Sequence, residues 1–256
     1  ASPTRREGWT MSKQGRDENR SQKAAAVRAA EERKERNRRV ALVVGIVVLL
    51  GAIVAGGAWY GGGGGNTPTA AAAEAPVSAG ATSLTVGKPD APVKVVIYED
   101  FQCPYCRELE NSTRTFLREN AAKGKVVVEY QPINLLSSMP YSAKALNAWA
   151  AVLENASPKA ALELHDLLYD HQPYEQDSAS VTDSQIAGWV KDAGGDNAAV
   201  RAAMETQDSA FFSAVGHLMN ARGIQGTPTV MVDGKQLSAS SMSDLAEQIE
   251  TAVDNG

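Results

Sequence analysis

A short β-branched run, Val93 to Tyr98, leads into Cys103-Pro104-Tyr105-Cys106, and the residues after it carry a helical pattern. This order of strand, cysteine turn and helix constrains the chain more than any other feature. A helical turn brings residues three apart together, so one thiol can face outward while the other stands behind it. These are the only two cysteines among 256 residues, which points to a redox-active dithiol. Two other readings compete. Tetrahedral zinc needs four ligands, and no second cysteine pair exists, while His165, His171 and His217 lack paired ligand spacing. A structural bridge gains most by closing a long loop, and this pair would close almost none.

Charge divides the chain sharply. Residues 1–39 hold 12 Lys or Arg against 6 Asp or Glu, about +6, whereas the remaining 13 basic and 24 acidic residues leave about −11. Between these parts, Val40 to Tyr60 is a run of 21 residues without charge, enough helix to span about 30 Å. The run predicts a single transmembrane helix at 40–60, with the basic arm at 1–39 held in the cytoplasm by its flanking Arg and Lys. The arm lacks interleaved aromatics, so no nucleic-acid partner is expected. Ala70 to Ala81 has the small residues of a signal cleavage site, but the long arm and full-length span favour an uncleaved anchor. The topology is the same whether translation starts at the first residue or at Met11.

Gly61 to Gly65 opens a Gly-, Ala- and Pro-rich segment at 61–82 that is expected to be a flexible linker. It would place the cysteines outside the cytoplasm, where disulfides persist. The remaining 83–256 is long enough for one domain with its own core. Strands are predicted at Val93 to Tyr98 and Lys125 to Gln131, joined by a helix from Pro104 to Ala122 that Gly124 stops, which makes a right-handed βαβ unit. Helices follow at 141–154, 158–169, 182–193 and 197–222, with Thr182 and Asp196 as caps. The chain then returns to strand at 229–232, turns at Asp233-Gly234, continues through 235–237 and ends in a helix at 241–253. Trp149, Trp189, Phe116, Phe211 and Phe212 fall in helical patterns and read as core.

A βαβ unit with CxxC at its first strand-to-helix turn, followed by a ββα unit preceded by Thr-Pro, resembles the thioredoxin fold. The helical insertion at about 138–222 resembles the DsbA-type branch of disulfide oxidoreductases, especially membrane-tethered forms of Gram-positive and actinobacterial envelopes. The most specific pieces are FQCPYC at 101–106 and GTPTV at 226–230. The expected class is therefore α/β: a thioredoxin-like fold with a helical insertion, preceded by one transmembrane helix.

The resemblance implies that Cys103 is the nucleophile, Cys106 the resolving thiol and Pro228 a cis-proline beside which substrate pairs, with Pro104, Tyr105 and Thr227 supporting the site. Cys103 at a helix N-terminus would have its thiolate stabilised by unpaired N–H groups and the helix dipole. The resemblance also implies a thiol:disulfide oxidoreductase acting on reduced exported proteins and reoxidised by a DsbB-like or VKOR-like membrane partner, with no bound cofactor and no metal. Strongly oxidising relatives carry histidine where Tyr105 stands, so a milder oxidant is expected, or an isomerase or reductase using the same dithiol. Copper handling is the remaining alternative, with His217 and Met219 as weak candidate ligands.

Thioredoxin-like proteins often place a buried acid six residues before the first cysteine, where this chain has Ile97. Glu99 and Asp100 are the candidates for a proton relay instead, although two acids at a strand end are more often solvated. Phe101, Tyr105 and Tyr141 are expected to line an apolar groove beside the sulfur, and the three histidines to lie on helix faces without catalytic duty.

Overall fold

The computed structural model describes residues 74–256. The arm at 1–39, the span at 40–60 and residues 61–73 of the linker lie outside them. Among the described residues, no helix is long and apolar enough to cross a membrane.

Six strands form one mixed sheet in the order β1-β2-β4-β3-β5-β6. Its centre is the βαβ unit that the sequence predicts. Strand β3 (Val93–Glu99) runs into helix α1 (Pro104–Ala122), and β4 (Val126–Pro132) returns parallel to β3, from Val93 opposite Val126 to Glu99 opposite Pro132. Valine is the commonest residue of both strands because burial on each side of a central strand leaves little room for alternation with polar residues. Gly124, at φ 76°, lies just past the end of α1, where a left-handed residue lets the chain turn back toward the sheet.

On the other side of β3, β5 (Thr229–Val232) pairs antiparallel and continues through a two-residue turn into β6 (Lys235–Gln236). Asp233 and Gly234 both have positive φ, 49° and 79°, the backbone that a tight hairpin with right-handed twist demands. The Asp233 carboxylate also accepts from the Lys94 backbone N–H at 2.9 Å, fastening the turn to β3.

Two short strands lie beyond the elements expected from sequence. β1 (Val77–Ala79) and β2 (Leu84–Val86) form a hairpin, and β2 pairs antiparallel with β4. The expected linker at 61–82 is thus ordered sheet at its C-terminal end. Three residues of Val, Ser and Ala carry almost no local strand signal; they pair with β2, which in turn takes the edge offered by the much later β4. Gly87, at φ 111°, follows this hairpin; a Cβ there would lie 2.5 Å from the Val126 carbonyl oxygen.

The insertion consists of α2 (Pro140–Asn155), α3 (Pro158–Asp170), α4 (Asp183–Asp192), α5 (Ala198–Met204) and α6 (Ser209–Arg222). Thr182 caps α4 in a capping box with Gln185, as expected. The cap of α5 is Asn197 rather than Asp196, whose carboxylate instead pairs with Arg201. The single helix predicted over 197–222 is two, because the Asp208 carboxylate accepts from the Ala210 and Phe211 N–H groups and starts a new helix. Helix α7 (Met242–Asn255) closes the chain and packs its Leu245, Ala246, Ile249 and Val253 face near α1 and β3.

Helix α2 packs with α3, α4 and α5, while α3 reaches β1 and β2 and so ties the insertion to the sheet. Trp149 lies at the heart of this packing, wholly buried, with its indole N–H donating to the Ala161 carbonyl at 3.0 Å. Phe211 meets it edge-on, whereas Trp189, Phe116 and Phe212 are only partly buried, and Trp189 stacks on His171. Trp149→Ala should cost about 3–5 kcal/mol of unfolding free energy in a denaturant titration, chiefly through the cavity it leaves.

Candidate active site

The turn between β3 and α1 is held in place before any sulfur chemistry begins. Asp100 is fully buried, its Oδ1 accepting from the Gln102 N–H at 2.8 Å and its Oδ2 from the Leu136 N–H at 2.9 Å and the Ser142 hydroxyl at 2.8 Å. Burial pushes its pKa up, and the Leu136 and Gln102 donors oppose the rise. From the insertion, the Gln172 amide donates to the carbonyls of Phe101 and Cys103 at 2.8 and 3.0 Å. Gln102 reciprocates by donating to the Pro173 carbonyl.

Cys103 is the N-cap of α1, in extended backbone conformation, and Pro104 takes the first helical position, where a missing N–H costs nothing. Both cysteines are free thiols. Cys103 is 4% exposed and Cys106 1%, while Tyr105 between them is 59% exposed. The Cys103 sulfur lies 3.3 Å from the Thr227 carbonyl oxygen, and the Thr227–Pro228 peptide bond is cis. The structure therefore brings Cys103, Cys106, Thr227 and Pro228 together, as the sequence predicts.

The two sulfurs titrate in opposite directions. A hydrogen bond from the Cys106 thiol lowers the Cys103 pKa to about 6; burial opposes this, and the Thr227 side chain and the N–H groups of Tyr105 and Cys106 reinforce it. Cys106 is pushed well above the ordinary thiol value by burial, by its hydrogen bond to and charge repulsion from Cys103, and by Glu99; the Asp100 backbone opposes the rise. One sulfur is poised as thiolate and leaving group, the other kept protonated.

Several expectations about neighbouring residues change. Glu99 and Asp100 are buried, not solvated, because β3 ends beneath the insertion rather than at the surface. Glu99 Oε1 lies 2.7 Å from His165 Nε2, and His165, on α3, is wholly buried instead of lying idle on a helix face. Tyr141 does not line a groove: it is buried and its hydroxyl donates to the Leu168 carbonyl at 2.6 Å. Phe101 is likewise core, packed against Trp149 and Tyr169, which leaves Tyr105 exposed. His171 stacks on Trp189, and His217 is exposed on α6.

Sequence reasoning missed Glu110, His165 and Gln172. A signal existed for two: Glu110 stands on the stripe of α1 shared by Cys106, Thr113 and Leu117, and His165 on the stripe of α3 shared by Ala161, Leu164 and Leu168. Among the described residues, Glu99, Glu110 and His165 bring ligand-type atoms within 4.8 Å of one another, a group that includes neither cysteine. His165 Nε2 is engaged by Glu99, and the guanidinium of Arg114 lies 3.3 Å from Glu110, so the group is an ion-paired cluster.

The thioredoxin family model matches residues 79–251, more than half of the chain. The chain belongs to the thioredoxin family. Among solved structures, it is similar to the thiol-disulfide oxidoreductase MdbA from Corynebacterium diphtheriae, with a TM-score of 0.57 and 23% identity over 69% of this chain and 93% of that one. It is also similar to the reduced disulfide bond oxidoreductase DsbG from Mycobacterium tuberculosis, with a TM-score of 0.54 and 26% identity over 66% of this chain and 83% of that one. A curated relative, the Na(+)/H(+) antiporter NhaA 1 of Salinispora arenicola, is 30% identical over 155 residues, 59% of this chain and 21% of that protein. The chain spans about a fifth or less of the curated relatives it matches. Its fold is that of solved thiol-disulfide oxidoreductases, with the helical insertion at 140–222 between the two halves of the sheet.

Stabilisation of the folded dithiol is fully present above the unfolded thiol pKa of about 8.5 and is lost as pH falls through about 6. At pH 7 it is on the order of 1 kcal/mol, and it makes the disulfide correspondingly more oxidising. Thiolate absorbance should titrate with a midpoint at about 6, and Thr227→Val should move that midpoint upward.

Proposed function

We propose that this protein introduces disulfide bonds into exported proteins by exchange at Cys103 and Cys106. The observation that carries this reading is the placement of the two sulfurs, Cys103 at the N-cap of α1 beside the cis Thr227–Pro228 bond and Cys106 buried one turn further in; the lowered Cys103 pKa that this placement gives favours the reduced enzyme and therefore drives disulfides onto substrate. A substrate thiolate attacks Cys103 of the disulfide, Cys106 departs, and a second substrate thiol displaces Cys103 from the mixed disulfide. The chemistry needs no bound cofactor.

An unfolded substrate suits the surface around the turn. Tyr105 and Tyr174 are the large apolar side chains most exposed among the described residues, 59% and 68%. Tyr174 follows the Pro173 carbonyl that accepts from Gln102, so both rings adjoin the segments that hold Cys103. Aromatic surface of this kind binds apolar side chains of an extended chain without demanding a sequence. The polypeptide backbone of the substrate would lie beside Thr227 and Pro228.

The site of action follows from sequence. The apolar run at 40–60 and the basic arm at 1–39 support a single-pass membrane anchor with its N-terminus in the cytoplasm and the catalytic domain outside. Reoxidation would then fall to a membrane protein of the DsbB-like or VKOR-like kind, passing electrons from the Cys103 and Cys106 dithiol onward.

In cells, the Cys103 and Cys106 pair should be found mostly as the disulfide by thiol alkylation; a pair kept reduced would indicate an isomerase or reductase instead. Cys103→Ser should abolish oxidation of a reduced two-cysteine peptide, while Cys106→Ser should accumulate mixed disulfides that fail to resolve.

A further inference from the structure

The peptide bond that follows Cys103 has a single polar handle. Pro104 brings no N–H, so the Cys103–Pro104 peptide can be gripped only by its carbonyl. That carbonyl accepts from the N–H groups of Cys106 and Arg107 at 3.1 and 3.2 Å, the first turn of α1. A third donor comes from the helical insertion: the Gln172 side-chain amide, at 3.0 Å. The same amide nitrogen also donates to the Phe101 carbonyl at 2.8 Å, so one planar group spans the turn that carries the nucleophile.

The position of Gln172 is itself well determined. Proline disfavours helical backbone in the residue before it, and Pro173 follows Gln172, so α3 ends at Asp170 and the chain turns away there. The Gln172 N–H donates to the Tyr169 carbonyl at 3.2 Å, and the neighbouring His171 stacks on Trp189 of α4 with ring planes 5° apart. Two bonds run the other way, from Arg107 to the Gln172 carbonyl and from the Gln102 amide to the Pro173 carbonyl, each 3.1 Å. Four side-chain hydrogen bonds thus join residues 101–107 to residues 172–173, and the Gln172 side chain is buried among them. Packing alone does not call for an amide there, because a buried amide is costly unless its donors are used.

We propose that Gln172 is a positioning residue for thiol–disulfide exchange, holding the Cys103 sulfur in line for the thiol that approaches beside Thr227 and Pro228. In the exchange an incoming thiolate forms a new S–S bond to Cys103, the Cys103–Cys106 bond breaks, and its electron pair leaves on Cys106. The reverse step re-forms the Cys103–Cys106 bond and releases the incoming group as thiolate, so no further reactant enters. Displacement at sulfur is fastest when the three sulfurs approach one line, and a displacement of about 1 Å can cost about 100-fold in rate. Cys106 is fixed by its place inside α1, so the direction of the Cys103 side chain decides the alignment. That direction follows from the peptide planes on either side of Cys103. The Cys103 N–H fixes the first by donating to the Asp100 carbonyl at 2.9 Å, and the Gln172 amide is the tie from outside α1 on the second. Cys103 is the central sulfur in both directions of exchange, so Gln172 serves both alike.

The proposal rests on Cys103 as the attacked sulfur, but not on the physiological direction of exchange, and glutathione tests it both ways. On the full chain, two rates should be measured: reduction of the oxidised protein by glutathione, and oxidation of the reduced protein by glutathione disulfide. Both should fall by about 10-fold in Gln172→Leu, with their ratio, the equilibrium constant, unchanged. A residue that only supports packing would lower the unfolding midpoint and leave both rates of the folded protein as they were, which overturns the proposal. A changed ratio also overturns it, because Gln172 would then favour one redox state rather than an alignment common to both. If that variant does not fold, Arg107→Lys decides the matter: the charge stays, but the fork that reaches the Gln172 carbonyl is lost. Both rates should then fall by about 3-fold at a constant ratio, and unchanged rates overturn the proposal. A Cys103→Ser protein that still exchanges with glutathione at the wild-type rate would overturn the exchange scheme itself, whatever the Gln172 variants show.

Discussion

The Asp100 carboxylate gathers donors from three stretches of chain: the N–H of Gln102 in the cysteine turn, the N–H of Leu136 after β4 and the hydroxyl of Ser142 on α2. A buried acid held this way is expensive to leave unpaired, so the three stretches are obliged to meet wherever Asp100 is placed. The meeting fixes how β3 ends and therefore where α1 can begin. Cys103 then falls at the N-cap, the position with free backbone donors and extended geometry.

The contrast between the two sulfurs follows from that placement rather than from their chemistry, which is identical. Cys103 stands at the open end of a helix, met by the Cys106 thiol, the Thr227 side chain and backbone N–H groups. Cys106 is one turn further in, where burial dominates and Glu99 adds repulsion. A single helical turn thus separates a site that favours charge from one that excludes it.

The sequence made the central βαβ unit legible because its signals are local: a β-branched run, a cysteine turn, a long amphipathic helix and a glycine stop. The Thr227 and Pro228 segment was equally readable, since its motif and its place before a strand agree. What local signals could not supply was pairing at a distance. Glu99 and His165 are 66 residues apart and meet only because α3 packs over the end of β3; taken singly, each looked like an ordinary surface residue. Strands β1 and β2 are invisible for the same reason, being too short to announce themselves without the edge of β4. The break between α5 and α6 is a different failure. Good helix formers flank it on both sides, and the capping carboxylate of Asp208 wins over continuity.

Gln172 has a reach larger than its size. Its amide clasps the Phe101 and Cys103 carbonyls, while Arg107 on α1 donates to its own backbone carbonyl at 3.1 Å. The nucleophile's peptide plane is consequently tied from both directions to the chain just past the end of α3. A residue outside the thiol pair thereby sets the orientation of the peptide that carries the nucleophile.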